Sequence, residues 1–169
     1  MTIPVCFAMS ISMCGTCYDL QSNKIKNWLI LAGYGLGLGL QLWLYGAAGL
    51  GVWVSGSLMP AALLIPLFHF RMLGAGDIKL FSTLGGILGM VAILKCMLFS
   101  FLFGAILSIG VLILCRNTWS RLRYLADYIS QYIKTKELKP YRKNGMVMEH
   151  IHFTVPIMMS VLLLSGGII

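Results

Sequence analysis

Charge is scarce in this chain. Only 11% of its 169 residues are charged, against about 25% in soluble domains, and only five of them are acidic. With 59% hydrophobic residues, too little polar surface remains to cover a water-facing globule. An ordinary soluble fold is excluded. Paired cysteine spacing is also lacking. The five cysteines sit mostly inside apolar runs and suggest no disulfide framework, and Cys14-x-x-Cys17 has no second pair to complete a zinc set. Both are expected to be small packing residues. The three histidines, His69, His150 and His152, do not form H-E-x-x-H, and His150 with His152 reads as a marker of the headgroup zone. Ser82 and Ser100 have no evident partner base, and no phosphate-cradling loop, internal repeat or low-complexity tract is present. The net charge of +8 is dispersed over short polar gaps rather than gathered in a patch, which argues against a nucleic-acid partner.

Long apolar runs fill most of the sequence. Hydropathy gives six spans, near 2–18, 28–45, 47–69, 78–94, 96–115 and 151–169, most of them close to the roughly 20 residues a bilayer crossing needs. The first lacks a basic n-region and an A-x-A site and reads as a retained helix rather than a signal peptide. The fourth and fifth are separated only by Lys95, so a tight hairpin is expected there. The fold expected is all-α, a single membrane-embedded domain over 1–169 with six transmembrane helices and the lipid bilayer as its solvent.

Basic residues set the topology. Lys24 and Lys26 follow the first span, Arg71 and Lys79 bracket the third connection, and eight more lie between 116 and 150. Cytoplasmic placement of those three connections puts twelve of thirteen basic residues inside, with Lys95 outside, as the positive-inside bias requires. Both termini then face out. Within the 116–150 loop, Trp119, Leu122, Leu125, Ile129, Tyr132 and Ile133 form a helical apolar stripe opposite Arg121, Arg123, Asp127, Gln131 and Lys134. With Thr118 as N-cap, this reads as an amphipathic helix lying at the interface. The segment Lys139 to Gly145 follows as a turn-rich basic linker.

Chemistry narrows to two acids. Asp127, Glu137 and Glu149 belong to the basic loop, which leaves Asp19 and Asp77 at span ends on the same, cytoplasmic, border. Acids beside lipid are costly and usually functional, although Asp19 also has Lys24 and Lys26 nearby as structural partners. Asp77 lies in Leu73-Gly74-Ala75-Gly76-Asp77-Ile78-Lys79-Leu80, where two glycines permit a tight turn and close backbone approach. Two facing carboxylates that share one proton hydrolyse a peptide bond without a metal or other cofactor, one as general base on water and one as general acid. The same two acids also suit a cation or proton site in a small transporter or channel subunit. That reading favours mid-bilayer acids and paired interrupted helices, neither of which the pattern shows.

The run Gly74-Ala75-Gly76-Asp77-Ile78-Lys79-Leu80 resembles the G-x-G-D-x-K-L signature of the type IV prepilin peptidases, membrane aspartic proteases, in the short form that serves Flp/Tad-type or competence-type pili. Tyr18-Asp19-Leu20 through Ile25-Lys26-Asn27-Trp28 is similar to that family's first motif, an Asp, a polar stretch and Ile-Pro-Asn, with Lys26 in place of the proline. The segment from Ile151 to Gly166 is loosely like its last helix. The resemblance implies a leader peptidase of the inner or plasma membrane with Asp19 and Asp77 as catalytic dyad, a prepilin-like substrate and no cofactor. Full-length relatives carry two C-x-x-C pairs that bind zinc and accompany N-methylation. Cys14 and Cys17 lie inside the first span instead, so cleavage without methyl transfer is expected. The substrate's scissile bond would lie at the cytoplasmic interface and would have to be extended locally, with Gly74 and Gly76 offering bare backbone and Asn27 and Lys79 as further contacts. Lys79 reaching to headgroups is an equal alternative. Another G-x-G-D protease with a different substrate, or an inactive pilus-assembly scaffold given Lys26, are the remaining alternatives.

Overall fold

A computed structural model describes residues 3–22, 25–70, 72–114 and 152–167. No strand occurs among them, and six helices do: α1 Ile3–Ser22, α2 Asn27–Tyr45, α3 Ala48–His69, α4 Ala75–Leu88, α5 Met90–Leu114 and α6 Thr154–Ser165. The amphipathic helix expected after Thr118 and the basic linker lie outside the described residues. One compact unit comprises residues 1–104 and 152–169; a second covers 105–151, and its described part is the C-terminal stretch of α5.

Helices α1, α2 and α3, together with Met90–Val111 of α5, are long and apolar enough to cross a membrane. The expectation of six full crossings is therefore met by four helices. At 1.5 Å per residue, the 14 residues of α4 cover about 21 Å and the 12 of α6 about 18 Å, both short of a hydrocarbon core of about 30 Å.

Helix α4 is short because it is buried rather than lipid-facing. An unbroken run, Leu80 to Ile87, is buried, and Leu80, Phe81, Leu84 and Ile87 show no exposure at all. Three helices pack on it, α1, α2 and α3. On α2, Gly33 and Gly37 are one turn apart and open a groove that receives Thr83 and Ile87. On α3, Gly56 meets Gly85 of α4 backbone to backbone, so that neither position has room for a Cβ. Small residues at such a crossing let helices approach closely, which replaces the hydrophobic drive that lipid does not supply. Polar contacts add to it: Ser82 Oγ donates to the Ser57 carbonyl, and Gln41 Nε2 donates to the Ile87 carbonyl at 2.8 Å, at the carboxyl end of α4.

The join between α4 and α5 departs from expectation. Hydropathy marks Lys95 as the break, but the break is Gly89, with φ +84° and ψ 169°, a region essentially confined to glycine. Lys95 instead lies exposed within α5. The cysteine reading also changes. On α1 the buried face is Ala8, Ile11, Ser12, Gly15 and Thr16, so the i, i+3 pair Cys14 and Cys17 falls on the opposite, exposed face. Among the described cysteines it is Cys96 that is buried in the core.

Candidate active site

Asp77 is placed by the start of α4. Gly74 is the N-cap, in extended conformation and with no side chain to cap the helix. The acid three residues on does that work: the Gly74 backbone N–H donates to the Asp77 carboxylate, half of the reciprocal capping arrangement in which an N3 acid reaches back to the N-cap. A Cβ on Gly74 would stand 3.1 Å from Asp77 Oδ2, and one on Gly76 would stand 3.4 Å from Ile25 Cδ1. The carboxylate thus lies against Gly74, and Ile25, just before α2, covers Gly76. Asp77 sits outside the four helices long enough to cross a membrane and is half-buried. Burial pushes its carboxyl up to about 6, the charge of Asp19 adds to the rise, and the Gly74 N–H and His152 oppose it.

Asp19 lies one turn before the end of α1, and α6 fixes it. Its Oδ2 accepts a hydrogen bond from Thr154 Oγ1 at 2.8 Å and faces His152 Nδ1 at 3.0 Å. A turn earlier on the same face of α1, Thr16 Oγ1 donates to the Thr154 carbonyl at 3.2 Å. The start of α6 is therefore fastened to α1 at two levels. Thr154 is fully buried, whereas the side chains of His152 and Asp19 keep 25% and 16% of their surface.

Asn27 and Lys79 meet one another. Lys79 Nζ donates to Asn27 Oδ1 at 3.1 Å, and both residues are exposed. Lys26, in the position before, places its ammonium 4.8 Å from the centre of the Tyr18 ring, and Tyr18 stands edge-on to Trp28 at 6.2 Å. The Tyr18 contacts tie the exit of α1 to the entry of α2, and the Lys79–Asn27 bond ties that entry to α4. An open cavity of about 630 Å³ adjoins Gly74, lined by Phe68, His69, Met72, Leu73 and Gly74 itself.

The six residues singled out in the sequence thus gather at one end of one compact unit. Asp19 and Asp77 come from helices that pack on each other, close enough for the charge on one to move the other. His152 and Thr154 were not singled out, and His152 is not a mere headgroup marker. The available signal is His-x-Thr immediately before the last apolar run, and its meaning depends on contacts 133 and 135 residues away.

No curated protein and no solved structure matches the chain. The model of the type IV leader peptidase family matches residues 6–109, a stretch that contains Asp19 and Asp77 and ends before α6. That match covers more than half of the sequence, and the chain belongs to the type IV leader peptidase family.

Proposed function

We propose that this chain is an aspartic endopeptidase that removes leader peptides from prepilin-like membrane proteins, with Asp19 and Asp77 as its dyad. The observation that carries the reading is the convergence of two carboxylates from α1 and α4, one half-buried against a bare backbone N–H and the other gripped by α6. Family membership favours peptide hydrolysis over an ion site for the same two acids.

In this reading the dyad shares one proton, as facing carboxylates do, and Asp77, whose surroundings favour the protonated form, carries it. Asp19 then takes a proton from water as the water oxygen bonds to the scissile carbonyl carbon, while Asp77 gives its proton to the carbonyl oxygen. In the resulting diol, Asp19 returns its proton to the amide nitrogen and the C–N bond breaks. Asp77 regains a proton from the diol hydroxyl, and the products are a carboxylic acid and an amine. Both acids end as they began.

The substrate is a basic leader followed by an apolar helix, extended at the cut. The exposed edge at Gly74 and the cavity beside it receive that extended strand, and the Asn27–Lys79 pair lies where it enters. By the positive-inside bias, this end of the unit faces the cytoplasm and both termini face out. The test is processing of a co-expressed prepilin by wild type, Asp19→Asn and Asp77→Asn, with each protein's membrane level measured. Each substitution alone abolishes processing while the protein still accumulates. Processing retained by either variant removes that residue from the dyad.

A further inference from the structure

Helix α6 supplies no acid, yet it makes the closest polar contacts of the site. Thr154 is fully buried, its carbonyl is taken by Thr16, and its hydroxyl is spent on Asp19 Oδ2. His152 Nδ1 addresses that same oxygen. With Asp19 the ionised member of the dyad, as the mechanism requires, Oδ2 has no proton to give, and Nδ1 is then the protonated nitrogen of the imidazole in this contact. Two donors on one oxygen fix the rotation of the carboxylate about its Cβ–Cγ bond and leave Oδ1 as the working oxygen.

We propose that His152 and Thr154 are positioning residues that aim Asp19 at the attacking water, so that the entry into α6, His152 just before it and Thr154 at its first residue, is a working part of the active site. The inference rests on the reading of Asp19 as one of the dyad. Bonds of this kind need not touch substrate to matter: supporting partners that orient a reactive ligand or base are worth about 10–100-fold, and a misplacement of about 1 Å costs about 100-fold in rate. The same contacts also hold α6 to α1, so the test must separate aim from stability.

Reconstituted enzyme is assayed on a membrane-embedded prepilin with a basic leader, with kcat expressed per folded molecule and KM measured in the same series. At position 154 the set is Thr154→Ser, Thr154→Cys and Thr154→Val, which grades donor strength at similar volume; at 152 it is His152→Asn, which keeps a donor near the Nδ1 position, and His152→Leu, which removes it. Positioning predicts that Thr154→Val and His152→Leu lower kcat by about 10–100-fold with KM within about twofold. Thr154→Ser and His152→Asn recover most of that loss, and Thr154→Cys falls between. Wild-type kcat per folded molecule in Thr154→Val and His152→Leu overturns the inference, as does a loss that serine and asparagine fail to rescue. If Thr154→Val does not accumulate, the Thr, Ser, Cys order decides: equal kcat across the three overturns it. Asp19→Asn is run alongside. Cleavage by that variant condemns the dyad itself, whereas a dead Asp19→Asn beside fully active α6 variants condemns only the positioning role of α6.

Discussion

Gly85→Ala strikes the α3–α4 crossing and, through it, the catalytic end of α4. A Cβ at position 85 would stand 2.9 Å from the Gly56 carbonyl carbon and 3.2 Å from Pro60 Cγ, with the Gly56 carbonyl oxygen closer still. Carbon pairs rest at about 3.5–4.0 Å, and what must yield is helix backbone and a proline ring, not the end of a flexible side chain. Helix α4 therefore has to retreat from α3 by about 1 Å or more, with α1 and α2 packed behind it. Overpacking of this kind costs about 1–3 kcal/mol, offset by the 0.5–1 kcal/mol or so that alanine gains over glycine within a helix. The net loss is about 0–2.5 kcal/mol, centred a little above 1 kcal/mol, which for a chain of this size lowers the melting temperature by up to about 10 °C. Asp77 rides eight residues earlier on the same helix, so a shift approaching 1 Å is expected to slow cleavage by up to about 100-fold. The assay pairs thermal unfolding in detergent with prepilin cleavage, and the control is Gly39→Ala, where nothing lies within 4 Å of a new Cβ. Equal melting temperature and equal rate in Gly85→Ala and Gly39→Ala would refute the close crossing and its link to the site.

The pH dependence follows from Asp77. Its carboxyl is raised to about 6 and must be protonated to act as the acid, so kcat/KM falls about tenfold per unit as pH rises beyond about 6; a flat profile from pH 5 to 8 contradicts the assignment. At the α4–α5 join, Gly89→Ala puts a side chain on a residue at φ +84° and is expected to cost about 1–3 kcal/mol, read as a lowered melting temperature. Lys79→Met breaks an exposed hydrogen bond at 3.1 Å worth about 1 kcal/mol or less to the fold. It is expected to raise KM for the prepilin while leaving kcat and thermal stability near wild type.

The sequence showed some of this architecture and hid the rest for physical reasons. The first three spans were legible because each is bounded by Lys, Asn or Gly–Ala breaks that lower hydropathy, and the observed helices Ile3–Ser22, Asn27–Tyr45 and Ala48–His69 follow the expected 2–18, 28–45 and 47–69 closely. The α4–α5 boundary was misplaced because hydropathy registers the charge of Lys95, which an exposed helix surface tolerates, and is blind to Gly89, whose role lies in a backbone angle. The two acids stood out since a carboxylate at the end of an apolar run needs a reason to be there. The hold of α6 on Asp19 could not be read, because pairing across more than 130 residues leaves no local pattern. Nor does the C-x-x-C spacing say which face of α1 is buried; that is decided by Gly15 and Thr16 packing inward.

The most direct measurement of the dyad is the rate of prepilin cleavage by Asp19→Asn, Asp77→Asn and the double variant, each purified and reconstituted. Groups that act on one water as a unit are non-additive. Each single variant is therefore predicted to fall to the same residual rate as the double. Losses that multiply in the double variant, or a single variant within about tenfold of wild type, would show that the two acids do not work on one bond together.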